Sequence, residues 1–168
     1  LPMLAEIYWI KPLLYRLAIM PRPRGGEWLG DEIASLRRQG VDVIVSLLTA
    51  DEIAELGLEQ EAECCRSAGI EFLSLPIEDR SVPPDPQAAR ELIERLAVDL
   101  RGGKAVAIHC RAGIGRSALV AACILARLGV ATTDAFRAIG QARRCAVPDT
   151  PEQIDWTDKF VVGLKAET

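Results

Sequence analysis

His109-Cys110-Arg111-Ala112-Gly113-Ile114-Gly115-Arg116-Ser117 sets a cysteine and an arginine five residues apart across two glycines. These residue types at this spacing suit an anion. Glycines let a short loop curl so that successive N–H groups turn inward, and a helix that follows adds its partial positive end. Arg116 would supply a planar fork able to hold two oxygens of one phosphate, which a lysine does less well. The same donors would favour thiolate over thiol at Cys110; cysteines in such settings fall from about 8.5 to roughly 3.5–7.5 in pKa. A nucleophile and an anion cradle are thus expected in one loop.

The elements that must position this loop read as an alternation of strands and helices. Apolar runs at 5–10 and 15–20, separated by Lys11 and Pro12, predict strands, and Pro21-Arg22-Pro23-Arg24-Gly25-Gly26 ends them. We expect a helix over 31–39 stopped by Gly40 and a doubly covered strand over 41–48. Thr49 and Glu52 have capping-box spacing, a helix over 59–68 stops at Gly69, and a strand follows over 70–77. After an irregular loop over 78–86, Asp85-Pro86 starts a helix running to about Arg101. A buried strand over 104–109 then delivers the chain to Cys110. Helices over 116–128 and 133–144 and one started by Thr150-Pro151 complete the chain. This alternation predicts an α/β fold, a mostly parallel central sheet flanked by helices, with residues 1–168 forming one domain.

Composition narrows the function classes. Hydrophobic residues make up 49% and charged residues 26%, which excludes a disordered or collagen-like chain. A net charge of −4 argues against nucleic acid as a partner, so any anion site must be local. Five cysteines without a Cys-x-x-Cys pair, and a single histidine, argue against a disulfide framework or a metal cluster and for a reducing, cytoplasmic setting. The apolar stretch from Met3 to Met20 is interrupted by Glu6, Lys11, Pro12 and Arg16, so a membrane span is not expected. The sequence begins at Leu1 rather than Met, and we expect the natural start to precede it. Oligomeric state is left open.

The nonapeptide resembles the His-Cys-x5-Arg-Ser/Thr signature of the Cys-dependent protein tyrosine phosphatase superfamily. With each fixed position taken as one residue type in twenty, a chance match arises in about two chains per thousand of this length. Within that superfamily the chain is similar to the compact dual-specificity phosphatases, and Ala118-Leu119-Val120-Ala121-Ala122-Cys123 resembles the continuation in kinase-associated phosphatases. The resemblance implies a tyrosine-phosphatase-like fold and a phosphoprotein substrate, with no cofactor or metal. It implies attack by Cys110 on phosphorus, a cysteinyl-phosphate, and hydrolysis of that intermediate. The backbone of Arg111, Ala112, Gly113, Ile114 and Gly115 would bind the phosphate together with Arg116. Ser117 would donate to the sulfur, and His109 would brace the loop and bias Cys110 toward thiolate rather than carry the proton. The acid would be Asp79, 31 residues before Cys110, with Glu78 and Asp85 as rivals; a helix cap explains Asp85 better.

Other residues carry two readings each. Gln153 fits a helix cap and also a contact to the phosphate loop, and the cap is preferred. Arg143 and Arg144 could rim the site, while complementing a helix end is the ordinary explanation. Cys64 or Cys65 could pair with Cys110 on oxidation, though core packing is expected of both, as of Cys123. Arg80 is either a phosphate-admitting residue or a solvated loop charge. Among rival functions, a phosphoinositide phosphatase would be expected to carry two basic residues in the loop, where this chain has Arg111 but Ile114. A non-catalytic phosphoprotein-binding module would not need Asp79, and nor would a sulfur transferase. A small arsenate reductase or low-molecular-weight phosphatase has the loop and the acid in the opposite order.

Overall fold

The computed structural model describes residues 4–11 and 14–167. Met3 and Pro12, used above to delimit the first apolar stretch and its break, lie outside the described residues. The strands are β1 (Tyr8–Trp9), β2 (Leu17–Met20), β3 (Val43–Ser46), β4 (Glu71–Ser74) and β5 (Val106–His109). The α-helices are α1 (Leu29–Arg38), α2 (Ala50–Leu56), α3 (Glu61–Ala68), α4 (Pro86–Arg101), α5 (Arg116–Arg127), α6 (Thr132–Arg143) and α7 (Pro151–Ala166). They form a five-stranded sheet in the order β1-β2-β5-β3-β4, parallel except for the β1–β2 pair. The expected mostly parallel α/β sheet is therefore present.

Alternation along the strands divides the core in two. Leu17, Ile19, Val43, Val45, Val106 and Ile108 face α4, α5 and α6, whereas Ala18, Met20, Ile44 and Ala107 face α1 and α3. All residues of β2, β3 and β5 are buried, as a sheet covered on both faces demands. The regular strands are shorter than the apolar runs that announce them. Val41, Leu47 and Leu48 are buried but lie outside β3, because burial continues past the last ladder hydrogen bonds.

Helix boundaries follow local chemistry. Gly57 and Gly69 end α2 and α3 in the left-handed conformation. Asp85 Oδ1 accepts the N–H groups of Gln87 and Ala88 at the start of α4. α5 is buried on every side from Arg116 to Leu125, consistent with packing against α4, α6 and α7. No helix among the described residues is long and apolar enough to cross a membrane.

The sheet register positions the reactive segment. Met20, His109 and Ser46 stand side by side at the carboxyl ends of β2, β5 and β3. Cys110 follows at once, at the edge where parallel sheets present ligand sites.

Candidate active site

Residues 110–115 form a loop that turns from β5 into α5, with Gly115 capping the helix and Arg116 and Ser117 in its first turn. The loop can curl only because of Gly113. Its φ is +73°, and a Cβ there would fall 2.5 Å from the carbonyl carbon and oxygen of Met20. The proline-rich segment after β2 is thereby accounted for: it is the outer wall of the loop, and the Arg22 N–H donates to the Arg111 carbonyl at 3.1 Å.

The loop's carbonyls point outward and are satisfied from outside. Arg143 donates through Nε to the Gly113 carbonyl at 3.0 Å and through Nη2 to the Ala112 carbonyl at 3.1 Å. Its guanidinium also lies over the Tyr8 ring, 4.0 Å from the centroid. Arg143 thus buttresses the back of the loop, a role different from simply complementing its own helix end. Among the described residues, no N–H from Arg111 to Gly115 is committed to a hydrogen bond. Two further donors are buried and unpartnered, Arg116 Nε and Ser117 Oγ. An anion in the curl would satisfy them; buried donors are otherwise costly.

Cys110 is buried at the loop's start. Arg116, also buried, presents its fork to three groups: Glu52 at 2.7 and 3.0 Å, the Ile77 carbonyl at 2.8 Å and Asp79 Oδ1 at 3.2 Å. Burial works against its charge, but the Glu52 hydrogen bonds and electrostatic attraction within the cluster of Cys110, Glu52 and Asp79 hold it more firmly protonated than usual. Burial likewise pushes the Glu52 carboxyl up, and hydrogen bonds from Arg116 and Thr49 outweigh it and hold the group below its ordinary range. Glu52 is at the same time the acid of the Thr49 capping box.

Asp79 is brought to the site from its loop, with an exposed carboxyl group. The next residue, Arg80, has a φ of +61° and is exposed. Gln153 secures this loop. Its Oε1 accepts the Asp149 and Thr150 N–H groups, completing the α7 capping box, while its Nε2 donates to the Ser81 carbonyl at 3.0 Å. The cap is therefore present, and the second contact reaches the loop that carries Asp79 rather than residues 110–115. Asp149 itself lies against Gly115, where a Cβ would overlap its carboxylate.

The Arg111 side chain turns away from the curl to Glu55, at 3.0 Å, and toward Glu52. His109 is buried between Glu61 and the Cys110 carbonyl. Cys65 packs on the sheet face opposite Cys110, and burial pushes its thiol up to about 12. Cys123 is enclosed by the core and its thiol is pushed up as well.

A family described as "Polymorphic toxin system, DSP-PTPase phosphatase" matches residues 18–130, a stretch that holds the loop, Glu52 and Asp79. The chain belongs to this DSP-PTPase family. The description of that family names a phosphatase. Cyclin-dependent kinase inhibitor 3 of Rattus norvegicus is 28% identical over 133 residues, covering 78% of this chain and 62% of the relative. Protein tyrosine phosphatase type IVA 2 of Mus musculus is 36% identical over 94 residues, covering 55% and 54%. The chain thus spans less than two thirds of these relatives. Kinase associated phosphatase, solved with its catalytic-site cysteine replaced by serine, superposes with a TM-score of 0.84 at 23% identity over 98% of both chains. The active form of Tk-PTP superposes with a TM-score of 0.76 at 26% identity, covering 95% of this chain and 98% of that one.

Glu52 is the site residue that sequence reasoning missed, and Arg143 was considered for the rim of the site but not for the back of the loop. Glu52 was visible as a cap, and a buried arginine's need for a carboxylate was the signal that could have assigned it a second task. No sequence signal marks Arg143 as the loop's buttress.

Proposed function

We propose that this DSP-PTPase hydrolyses phosphate monoesters on proteins, phosphotyrosine and also phosphoserine and phosphothreonine, through a cysteinyl-phosphate. The observation that carries the reading is the set of uncommitted donors around Cys110: the loop N–H groups, Arg116 Nε and Ser117 Oγ. Donors left without partners beside the nucleophile are available to phosphoryl charge, and charge held by preorganised donors is where such sites gain most. In the first step the Cys110 thiolate attacks phosphorus, the phosphorus–oxygen bond breaks, and Asp79 protonates the departing oxygen. In the second, water attacks the cysteinyl-phosphate and gives a proton to Asp79, and the sulfur–phosphorus bond breaks to release phosphate. Ser117 stabilises the sulfur as it leaves. The guanidinium and the loop amides supply the positive field, so no metal is required by this scheme.

Protein substrates are favoured over phosphoinositides by Arg111. It is the one basic side chain inside the loop before Arg116, and Glu55 and Glu52 already neutralise it. The relatives named for kinases support a phosphoprotein substrate. The test is phosphate release from matched phosphotyrosine and phosphothreonine peptides and phosphoinositides, with EDTA present and Cys110→Ser as control. Peptide turnover that survives EDTA and disappears in the variant is expected. Turnover of lipids alone would overturn the substrate assignment, and peptide binding without release would make the chain a recognition module.

A further inference from the structure

The two edges of the sheet differ. β1 ends it on one side with two residues, and the ring of Tyr8 there is covered by the Arg143 guanidinium. β4 ends it on the other side, and among the described residues it pairs with β3 alone. That pairing alternates along the strand. The N–H groups of Glu71 and Leu75 donate inward, to the Asp42 and Ser46 carbonyls. The backbone N–H and C=O groups of Phe72 and Ser74 therefore turn outward, and among the described residues no hydrogen bond reaches them from that side.

Such an edge is a template for another strand unless something guards it. The charged residue of β4, Glu71, is drawn into an ion pair with Arg95 on α4. On the sheet face that carries Phe72, a cleft of about 540 Å³ opens between α3 and β4, lined by Ala62, Arg66, Ile70 and Phe72. Phe72 is half-buried there, and Arg66 is paired with Glu63. An added strand would set alternate side chains into this cleft while its backbone paired with Phe72 and Ser74.

The edge also leads to the active site. Ser74, Ser46 and His109 stand level across β4, β3 and β5. Beyond Ser74 the chain turns inward over the strand ends: the Ile77 N–H donates to the Leu47 carbonyl, and the Ile77 carbonyl accepts from Arg116. Asp79 follows, 3.2 Å from the same guanidinium. A strand laid outside β4 would lie three strand spacings from His109, about 14 Å, a gap that roughly four or five extended residues cross.

The shortness of the edge selects its occupant. The N–H and C=O groups of Phe72 and Ser74 offer four hydrogen bonds, too small a contact to hold two copies of this chain together. They suffice as a second contact for a chain already held elsewhere, because tethering raises the effective concentration of its free end.

We infer that the open edge of β4 docks an extended segment of the phosphoprotein substrate by strand addition, roughly four or five residues to one side of the phosphorylated residue held in the loop. The inference rests on the phosphoprotein reading above and adds to it a contact made by backbone rather than by a particular side-chain sequence.

Calorimetry on Cys110→Ser reads binding without turnover. The probes are a short phosphotyrosine peptide and the same peptide extended at either end by about eight alternating serine and valine residues. One of the two extensions should tighten binding by about tenfold. Backbone N-methylation of alternate residues in the outer half of that extension should remove the gain in one phase and keep it in the other, since one set of N–H groups faces β4 and the other faces away. Ser74→Pro deletes an outward N–H at a sheet edge, where proline is tolerated; it should lose the gain while hydrolysing p-nitrophenyl phosphate at the native rate. If that variant does not fold, the methylated peptides on the unaltered edge decide. No gain from either extension, or equal losses in both methylation phases, would overturn the inference. So would a dimer seen by ultracentrifugation that Ser74→Pro dissociates, because a second copy would then occupy the edge. A gain with length in a chain whose native form releases no phosphate would uphold the docking and defeat the hydrolysis reading, so the two failures are distinguishable.

Discussion

Both carboxylate oxygens of Glu52 engage the two terminal nitrogens of Arg116, at 2.7 and 3.0 Å. The residue that caps α2 is thus also the residue that holds the guanidinium of Arg116 at the start of α5. Two unrelated-looking local features, a capping box and the arginine that follows the glycine loop, are a single through-space device.

Glu52→Gln should therefore cost more than a cap. Removing one member of a buried pair leaves the other uncompensated, a loss of about 3–5 kcal/mol. By contrast Glu55→Gln, at the exposed Arg111 pair, should leave stability nearly unchanged. Denaturant midpoints of the two variants check the stability difference. Their kcat/KM values should separate in the same direction, by about a hundredfold, since Glu52, unlike Glu55, helps to orient Arg116.

Acid should expose the same pair. Glu52 and Asp42 both ionise more readily in the folded chain: Glu52 because Arg116 and Thr49 outweigh its burial, Asp42 chiefly because it accepts the Ala105 N–H. Lowered folded values mean that the unfolded chain binds more protons in this range, so stability rises with pH. The contribution is complete above the ordinary values of 4.5 and 3.8 and is lost as pH falls through the lower folded ones. Urea midpoints measured from about pH 6 to about pH 3 should fall less steeply for Glu52→Gln than for the native chain. Parallel curves would deny Glu52 this role.

The two loop glycines should respond differently to alanine. At Gly113 the new Cβ meets backbone at Met20 and the φ is +73°, so the loop must distort. A loss of about 2 kcal/mol or more, together with most of the activity, is expected from the combined strain and overpacking. At Gly115 the obstacle is the carboxylate end of Asp149, an exposed side chain that can swing aside. Thermal melts should rank Gly115→Ala close to the native chain.

Gln153→Glu separates the cap from the tie to the acid's loop. A glutamate keeps the acceptor that the capping box uses but has no N–H for the Ser81 carbonyl. The expected result is a fall in kcat that is larger for poor leaving groups, because protonation by Asp79 is what has been loosened. A uniform fall across leaving groups would place the effect elsewhere.

The legible parts of this molecule were those whose reasons are local. Cys110 to Ser117 announce a glycine-bent loop between a strand and a helix by type and spacing, and Asp85, Gly69 and Thr150 mark helix ends through bonds to neighbours in sequence. Strand limits were less legible because Val41, Leu47 and Leu48 are as buried as the strand between them, so hydropathy does not show where pairing stops. Glu52, Glu61 and Arg143 reach the site across 64, 48 and 30 or 31 residues of sequence. Only the sheet register and the helix packing bring them there. The proline-rich turn at 21–24 has its reason in a distant residue, Gly113, which is pressed against Met20 and Pro21.

The most direct test of the central claim is intact-protein mass spectrometry after acid quench of Asp79→Asn mixed with a phosphotyrosine peptide. Slowing the proton transfers of both steps leaves the covalent species to be sought by rapid mixing, and peptide mapping locates it. A single added phosphoryl group on Cys110, absent when Cys110→Ser is combined with the same change, is the predicted result. Phosphate release by Cys110→Ser, or a phosphoryl group on any other residue, would contradict the account.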